Sequence, residues 1–282
     1  MVKRARLVII GATGLLGPYF SEEFASRYEV INYGRTKGDL RADLTDLDVA
    51  KTLFGHADPD IVINLAAYTD VDGCADHPEV AKAINVKIPA NIAAAISDHV
   101  QLVQISTDQV YPDSKGPHKE KNIGPVNAYG QTKLDGEKAA LTHSNTLVLR
   151  TNIFGKSKTE GRKSLSDFFE ESFRCGKPIK LFNDSIFTPL HMRTLAAITN
   201  QMLRKTTAGV YNVGSREALS KADFALAVAR HLELSAERTE ITSSTSIFGR
   251  SKRALDLALD VAKIEKVLTY SMPTLHEEVR TL

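Results

Sequence analysis

A short apolar run, Leu7-Val8-Ile9-Ile10, passes without a spacer into Gly11-Ala12-Thr13-Gly14-Leu15-Leu16-Gly17, and a helical pattern follows at once. A strand that turns through glycines into a helix aims backbone N–H groups and the helix N-terminus at one spot, an arrangement suited to a pyrophosphate. The spacing is G-x-x-G-x-x-G rather than G-x-G-x-x-G. Its place at the first strand-to-helix turn, more than the glycines themselves, argues for a bound nucleotide.

The first half of the chain repeats this alternation. Strands are predicted at 7–10, 29–33, 61–65, 102–105 and 146–149, with helical patterns around 16–27, 46–54, 79–98 and 127–142. The strand candidates are continuous apolar runs, as expected when both faces of a parallel sheet are covered. The expected class is α/β, a doubly wound parallel sheet with right-handed crossovers.

After Arg150 the texture changes. Residues 155–166 are polar and basic, with Lys156, Lys158, Arg162 and Lys163, and read either as a solvated loop or as a substrate-side flap that attracts an anion. Amphipathic helices are predicted over 190–204 and 220–232, the second capped by Ser220 with Asp223 three residues on. Phe224, Val228 and Leu232 share one face of it and belong to a core. The domain change is placed near 155: a nucleotide-binding domain over 1–155, then mainly a smaller mixed substrate domain over 156–282, with some later segments returning to the first.

The second predicted strand ends at Asn32-Tyr33-Gly34-Arg35-Thr36-Lys37. An acid there would hold a ribose 2′-hydroxyl. Arg35 and Lys37 stand instead where a 2′-phosphate needs cations, which favours NADPH, with NADH as the second option. Asp43 and Leu44 are placed beside the adenine, and Asn64-Leu65-Ala66-Ala67 ends a strand with small side chains that line the cofactor.

Tyr129 and Lys133 stand at i and i+4 in Asn127-Ala128-Tyr129-Gly130-Gln131-Thr132-Lys133 and share one helix face. A nearby ammonium stabilises a phenolate and lowers the Tyr pKa, so the phenol can deliver a proton near neutrality. Upstream lies Gln104-Ile105-Ser106-Thr107-Asp108.

Composition removes other classes. A formal net charge of +2 over 282 residues gives no case for nucleic acid or a membrane surface. Two cysteines, Cys74 and Cys175, make no disulfide framework, and the eight histidines lack metal-ligand spacing, so no metal is expected. The basic start Lys3-Arg4-Ala5-Arg6 is followed by an apolar run that stops at Gly11, too short for a signal peptide, and a cytoplasmic location is expected.

The glycine turn, Asn64-Leu65-Ala66-Ala67, Ser106-Thr107-Asp108 and Tyr129-x-x-x-Lys133 together resemble the extended short-chain dehydrogenase/reductase superfamily over nearly the whole chain. Three stretches are similar to its dTDP-4-dehydrorhamnose reductase branch: Ala67-Tyr68-Thr69-Asp70-Val71-Asp72, Ser106-Thr107-Asp108-Gln109-Val110-Tyr111 and Arg253-Ala254-Leu255-Asp256-Leu257-Ala258-Leu259. The resemblance implies a Rossmann-type reductase that moves hydride from NADPH to the 4-keto group of a nucleotide-linked deoxysugar, as in deoxysugar and polysaccharide biosynthesis.

In that scheme Tyr129 donates the proton, Lys133 tunes it and holds the nicotinamide ribose, and Thr107 orients the carbonyl. Gly11, Thr13, Gly14, Leu15, Leu16, Gly17, Ala66, Ala67 and Tyr68 bind cofactor, while Asp108, Thr188 and Arg253 face the sugar nucleotide. Asn85 supports the active-site helix. The resemblance departs from the branch at Phe187-Thr188-Pro189, at Ala254 where a proline is usual, and at Lys163-Ser164-Leu165-Ser166. It also leaves open a homodimer, an epimerase, or a non-catalytic NADP-binding role like that of the methionine adenosyltransferase β subunit.

Overall fold

In the computed structural model, residues 4–34, 37–247 and 249–282 are described. Strand β1 (Arg6–Ile10) leads through the glycine turn to α1 (Gly17–Phe24), β2 (Glu29–Tyr33), α2 (Leu47–Ala57) and β3 (Ile61–Asn64). The helical pieces α3 (Val71–Asp76), α4 (Pro78–Lys82) and α5 (Ile88–Ala95) precede β4 (Gln101–Thr107), α6 (Ala128–Ala140) and β5 (Thr146–Thr151). The helix expected over 79–98 is therefore interrupted, by a π turn at Ala83–Lys87 between α4 and α5. Pro89 explains it: without an N–H it cannot bond the Asn85 carbonyl four residues back, so the helix widens there.

The second half contributes β6 (Ile153–Phe154), α7 (Leu165–Arg174), β7 (Ile179–Phe182), β8 (Ile186–Phe187), β9 (Leu190–His191), α8 (Met192–Arg204) and β10 (Gly209–Val213). It ends with β11 (Leu219–Ser220), α9 (Lys221–His231), β12 (Thr239–Thr242), β13 (Asp256–Leu257), α10 (Ala262–Leu268) and α11 (Leu275–Val279).

Six strands form one parallel sheet in the order β10-β5-β4-β3-β1-β2. Alternate residues of each strand serve opposite faces. Leu7 and Ile9 join Phe20 and Phe24 of α1 and Leu195 and Met202 of α8. Val8 and Ile10 join Leu53 and Phe54 of α2 and Ile92 of α5. The strand order reverses between β1 and β3, and in sheets of this kind the ligand crevice lies beyond the carboxyl ends at that point.

The chain does not divide cleanly at 155. Strand β10 pairs with β5, and α8 and part of α10 cover the main sheet. A separate aromatic core gathers Phe154, Phe169, Phe187, Phe224 and Val228 around α7, α9 and α11, with Leu232 packed at its margin. Ser220 caps α9, its Oγ accepting from Asp223 N at 3.0 Å. Residues 190 and 191 are extended rather than helical, and His191 caps α8 through Nδ1, accepting from Arg193 N. Its ring sits edge-on to Tyr19 and Phe154, and burial lowers its pKa to about 4, so it serves as a neutral structural group. Among the described residues no helix is long and apolar enough to cross a membrane, and no group of His, Cys, Asp or Glu is placed to hold a metal.

Candidate active site

Helix α6 begins where Asn127 Oδ1 accepts from Gly130 N at 2.8 Å. Tyr129 thus falls in the first turn and Lys133 one turn further on the same face. The helix presses close to its neighbours because two glycines permit it. A Cβ on Gly130 would lie 2.1 Å from the Gln109 carbonyl oxygen, and one on Gly136 would lie 2.0 Å from that of Asn85. The buried Asn85 amide fastens the arrangement. Its Oδ1 accepts from Tyr68 N at 2.8 Å, and its Nδ2 donates to Tyr68 O and to Thr132 Oγ1 on α6, each at 3.0 Å.

This packing carries Tyr129 to the end of β4, where Thr107 leaves the sheet. Thr107, Asp108, Tyr129 and Lys133 line one cleft together with Leu15, Leu16, Ser106 and Asn152. All four of the first group are buried. Thr107 Oγ1 accepts from Gln109 N at 3.2 Å, capping the turn that follows, and lies 3.2 Å from Asp108 Oδ1. It therefore has a structural bond as well as a place beside Tyr129.

The electrostatics differ from the sequence expectation. Burial raises the Tyr129 phenol well above its ordinary value, and the neighbouring Thr107 hydroxyl offsets this only in part. Lys133 does not depress it in the protein alone. The ammonium instead donates to Ile105 O at 2.8 Å, and burial lowers its own pKa to about 8. Asp108 is raised by burial to about 6, against opposing help from Asn152, whose Nδ2 donates to Oδ2 at 2.7 Å, and from Lys221.

The Asp108 carboxyl makes folding pH-dependent. Its folded value lies above its unfolded value, so its contribution to stability is fully present below about pH 4 and is lost as pH rises to about 6. Asp108→Asn should remove that loss. Relative to the variant, the parent should lose on the order of 1–3 kcal/mol between pH 4 and pH 7, measured by urea unfolding at each pH. Parallel curves for the two proteins would refute the assignment.

A second groove runs from the cleft along the glycine turn. It is lined by Gly11, Thr13, Gly14, Asp43, Leu44, Ala66 and Ala67, with Leu65 and Ala67 common to both. Gly11 has φ +80°, and a Cβ there would meet Ala66 N at 2.8 Å. No side chain caps α1 and no acid occupies its first turn, which suits an anion at that N-terminus. These features fit a dinucleotide: bare backbone where phosphates approach, small alanines where the β3 end meets it, and an apolar wall at Leu44, Val80 and Ile84 for a base.

Not every expected residue lies in these grooves. Gly17 acts by close packing, since a Cβ would lie 1.8 Å from Ala12 O. Tyr68 lines neither groove and packs against Cys74 and Tyr129. Arg35 lies outside the described residues, while Lys37 is exposed. Thr188 lines neither groove: it is buried, its Oγ1 accepts from Leu259 N at 3.2 Å and its carbonyl from Ser215 N at 3.1 Å.

Arg253 lines a neighbouring basic cleft with Lys221, Arg250 and Lys252. Its Nη2 bonds Asp72 Oδ2 at 2.9 Å, and this bond, with Ser251 N, lowers Asp72 to about 2. Sequence reasoning missed Asn152 and Lys221, the groups facing Asp108. Neither has a spacing that signals it, because they reach the site from the link between β5 and β6 and from the start of α9.

The model of the RmlD substrate binding domain family matches residues 5–282. The chain is 30% identical to the probable low-salt glycan biosynthesis reductase Agl14 of Haloferax volcanii over 248 residues, 86% of this chain and 83% of that protein. It is 28% identical to methionine adenosyltransferase 2 subunit beta of Xenopus laevis over 279 residues, 94% of this chain and 83% of that one. Among solved structures, the dTDP-4-dehydrorhamnose reductase of Bacillus anthracis in complex with NADP superimposes with a TM-score of 0.89 at 22% identity, covering 100% of this chain and 98% of that one.

Proposed function

The chain belongs to the RmlD substrate binding domain family, and from that premise we propose that it is an NADPH-dependent reductase acting on the 4-keto group of a nucleotide-linked deoxysugar. One observation carries the reading. Thr107, Tyr129 and Lys133, from two different elements, line a single cleft that is continuous with the glycine-turn groove through Leu65 and Ala67.

Held along Gly11, Thr13, Gly14, Ala66 and Ala67, NADPH would supply the hydride for the carbonyl carbon. The residues of this chain handle the oxygen. Thr107 fixes it by a hydrogen bond, and Tyr129 releases its phenolic proton to it as charge develops. The raised Tyr129 pKa suits this direction of reaction, because the phenol enters it fully protonated. Lys133, anchored on Ile105 O, lies one helical turn from Tyr129, where its remaining ammonium donors suit ribose hydroxyls. Burial of these groups excludes water, which strengthens each interaction. The cleft of Lys221, Arg250, Lys252 and Arg253 supports a diphosphate-linked substrate, since guanidinium forks match phosphate oxygens.

The test is NADPH oxidation followed optically over a panel of dTDP-, GDP-, CDP- and UDP-linked 4-keto sugars. Turnover with one of them is the expected result. The likeness to the methionine adenosyltransferase subunit over 94% of the chain favours a second reading, an NADP-binding regulatory subunit. Tight dinucleotide binding with no turnover across the panel would select it.

A further inference from the structure

The basic segment 156–163 does not hang over the substrate side. It lies across α1 and the glycine turn. Tyr19 OH donates to Lys156 O at 2.7 Å, and Thr159 Oγ1 donates to Gly14 O at 3.0 Å. Lys158 pairs with Glu22 of α1 at 2.5 Å and lies 4.4 Å above the Tyr19 ring. The far side is held by Ser157 N, which donates to Asp167 Oδ2 at 3.0 Å. The segment is thus a tied strap over the phosphate end of the groove.

Arg162 closes the turn of this strap, its N–H donating to Thr159 O at 3.2 Å, and its side chain lines the groove with Gly11, Thr13, Gly14 and Asp43. Two neighbouring cations are engaged elsewhere, Lys158 with Glu22 and Lys163 with Glu171. Among the described residues, the Arg162 guanidinium has no hydrogen-bond or ion-pair partner. A Rossmann turn offers backbone donors to a dinucleotide from one side only. A guanidinium held opposite it supplies a fork for phosphate oxygens.

We propose that Arg162 binds a phosphate of the dinucleotide, so that a residue from beyond the Rossmann layer clamps the cofactor against the glycine turn. The inference rests on the cofactor reading above. Two phosphate sources share this chemistry, the pyrophosphate common to both dinucleotides and the 2′-phosphate of NADPH.

The test is the dissociation constant of NADPH and of NADH, by titration calorimetry, for the parent, Arg162→Ala and Arg162→Lys. Arg162→Ala should weaken NADPH about tenfold, the effect of losing a charge-assisted hydrogen bond, and Arg162→Lys should fall between. Equal losses for both dinucleotides assign the pyrophosphate, and a loss confined to NADPH assigns the 2′-phosphate. The side chain is exposed, so the urea midpoint should not move and a binding loss cannot be ascribed to unfolding. Unchanged constants for both dinucleotides in Arg162→Ala would overturn the proposal. A parent protein that binds neither would overturn the cofactor reading instead.

Discussion

Tyr129→Phe is expected to leave the NADPH dissociation constant unchanged and to lower kcat by about 10²- to 10⁴-fold, the usual contribution of a positioned proton donor. The substitution removes one oxygen and keeps the ring, whose packing with Cys74, Ala81 and Tyr68 stays filled. Stability should therefore barely change. The loss should fall on kcat more than on KM, because the proton moves only as the alkoxide forms. Single-turnover measurement of NADPH oxidation with the substrate found in the panel would show it directly. A variant with near-parental kcat would exclude Tyr129 as the acid, and an equal fall in cofactor affinity would show that the lost hydroxyl serves to bind the cofactor rather than to supply the proton.

The second large effect concerns Arg150 and Glu137, which are 2% and 1% exposed. Arg150 Nε and Nη2 donate to the two carboxylate oxygens at 3.0 and 2.7 Å, while Nη1 donates to Glu120 O at 2.6 Å and to Tyr111 OH at 3.1 Å. Ser106 Oγ donates to the same carboxylate. The pair therefore ties β5 and β4 to α6, the elements that carry Thr107 and Tyr129. Arg150→Met should cost about 3–5 kcal/mol, since it strands a buried carboxylate. The double variant Arg150→Met/Glu137→Leu should recover much of that, because no charge is then left unpaired. Urea unfolding of the three proteins decides it. A single variant within 1 kcal/mol of the parent, an interval of the size typical for surface pairs, would mean that the buried pair is not holding these elements together.

The legible parts of this chain were those written in local sequence. The glycine turn after β1 could be read because only a bare backbone tolerates φ +80° at Gly11 and the approach of Ala66. Tyr129 and Lys133 could be read because helical period alone puts them on one face. Ser220 as a cap needed only its three-residue spacing to Asp223. Other features had no local signature. Thr188 carries the right side chain in a suggestive segment, yet its hydroxyl is taken by Leu259 N, a partner 71 residues away. The basic segment around Arg162 could have faced any ligand until Thr159 and Lys158 were seen tied to Gly14 and Glu22.

Sequence by itself determined the α/β class, the first five strands and the placing of Tyr129 and Lys133 on one helix face, because propensity, apolar period and turn chemistry act over a few residues. Only the tertiary structure decided the direction in which the pKa values of that pair move. Burial is a property of the packed whole, and it raises Tyr129 and lowers Lys133 where their spacing alone suggested a phenol made more acidic by its neighbour. It also decided which distant residues reach the cleft and the grooves beside it. Asn152, Lys221 and Arg162 come from distant parts of the chain, and their contacts depend on how β5, α9 and the strap pack against the first sheet.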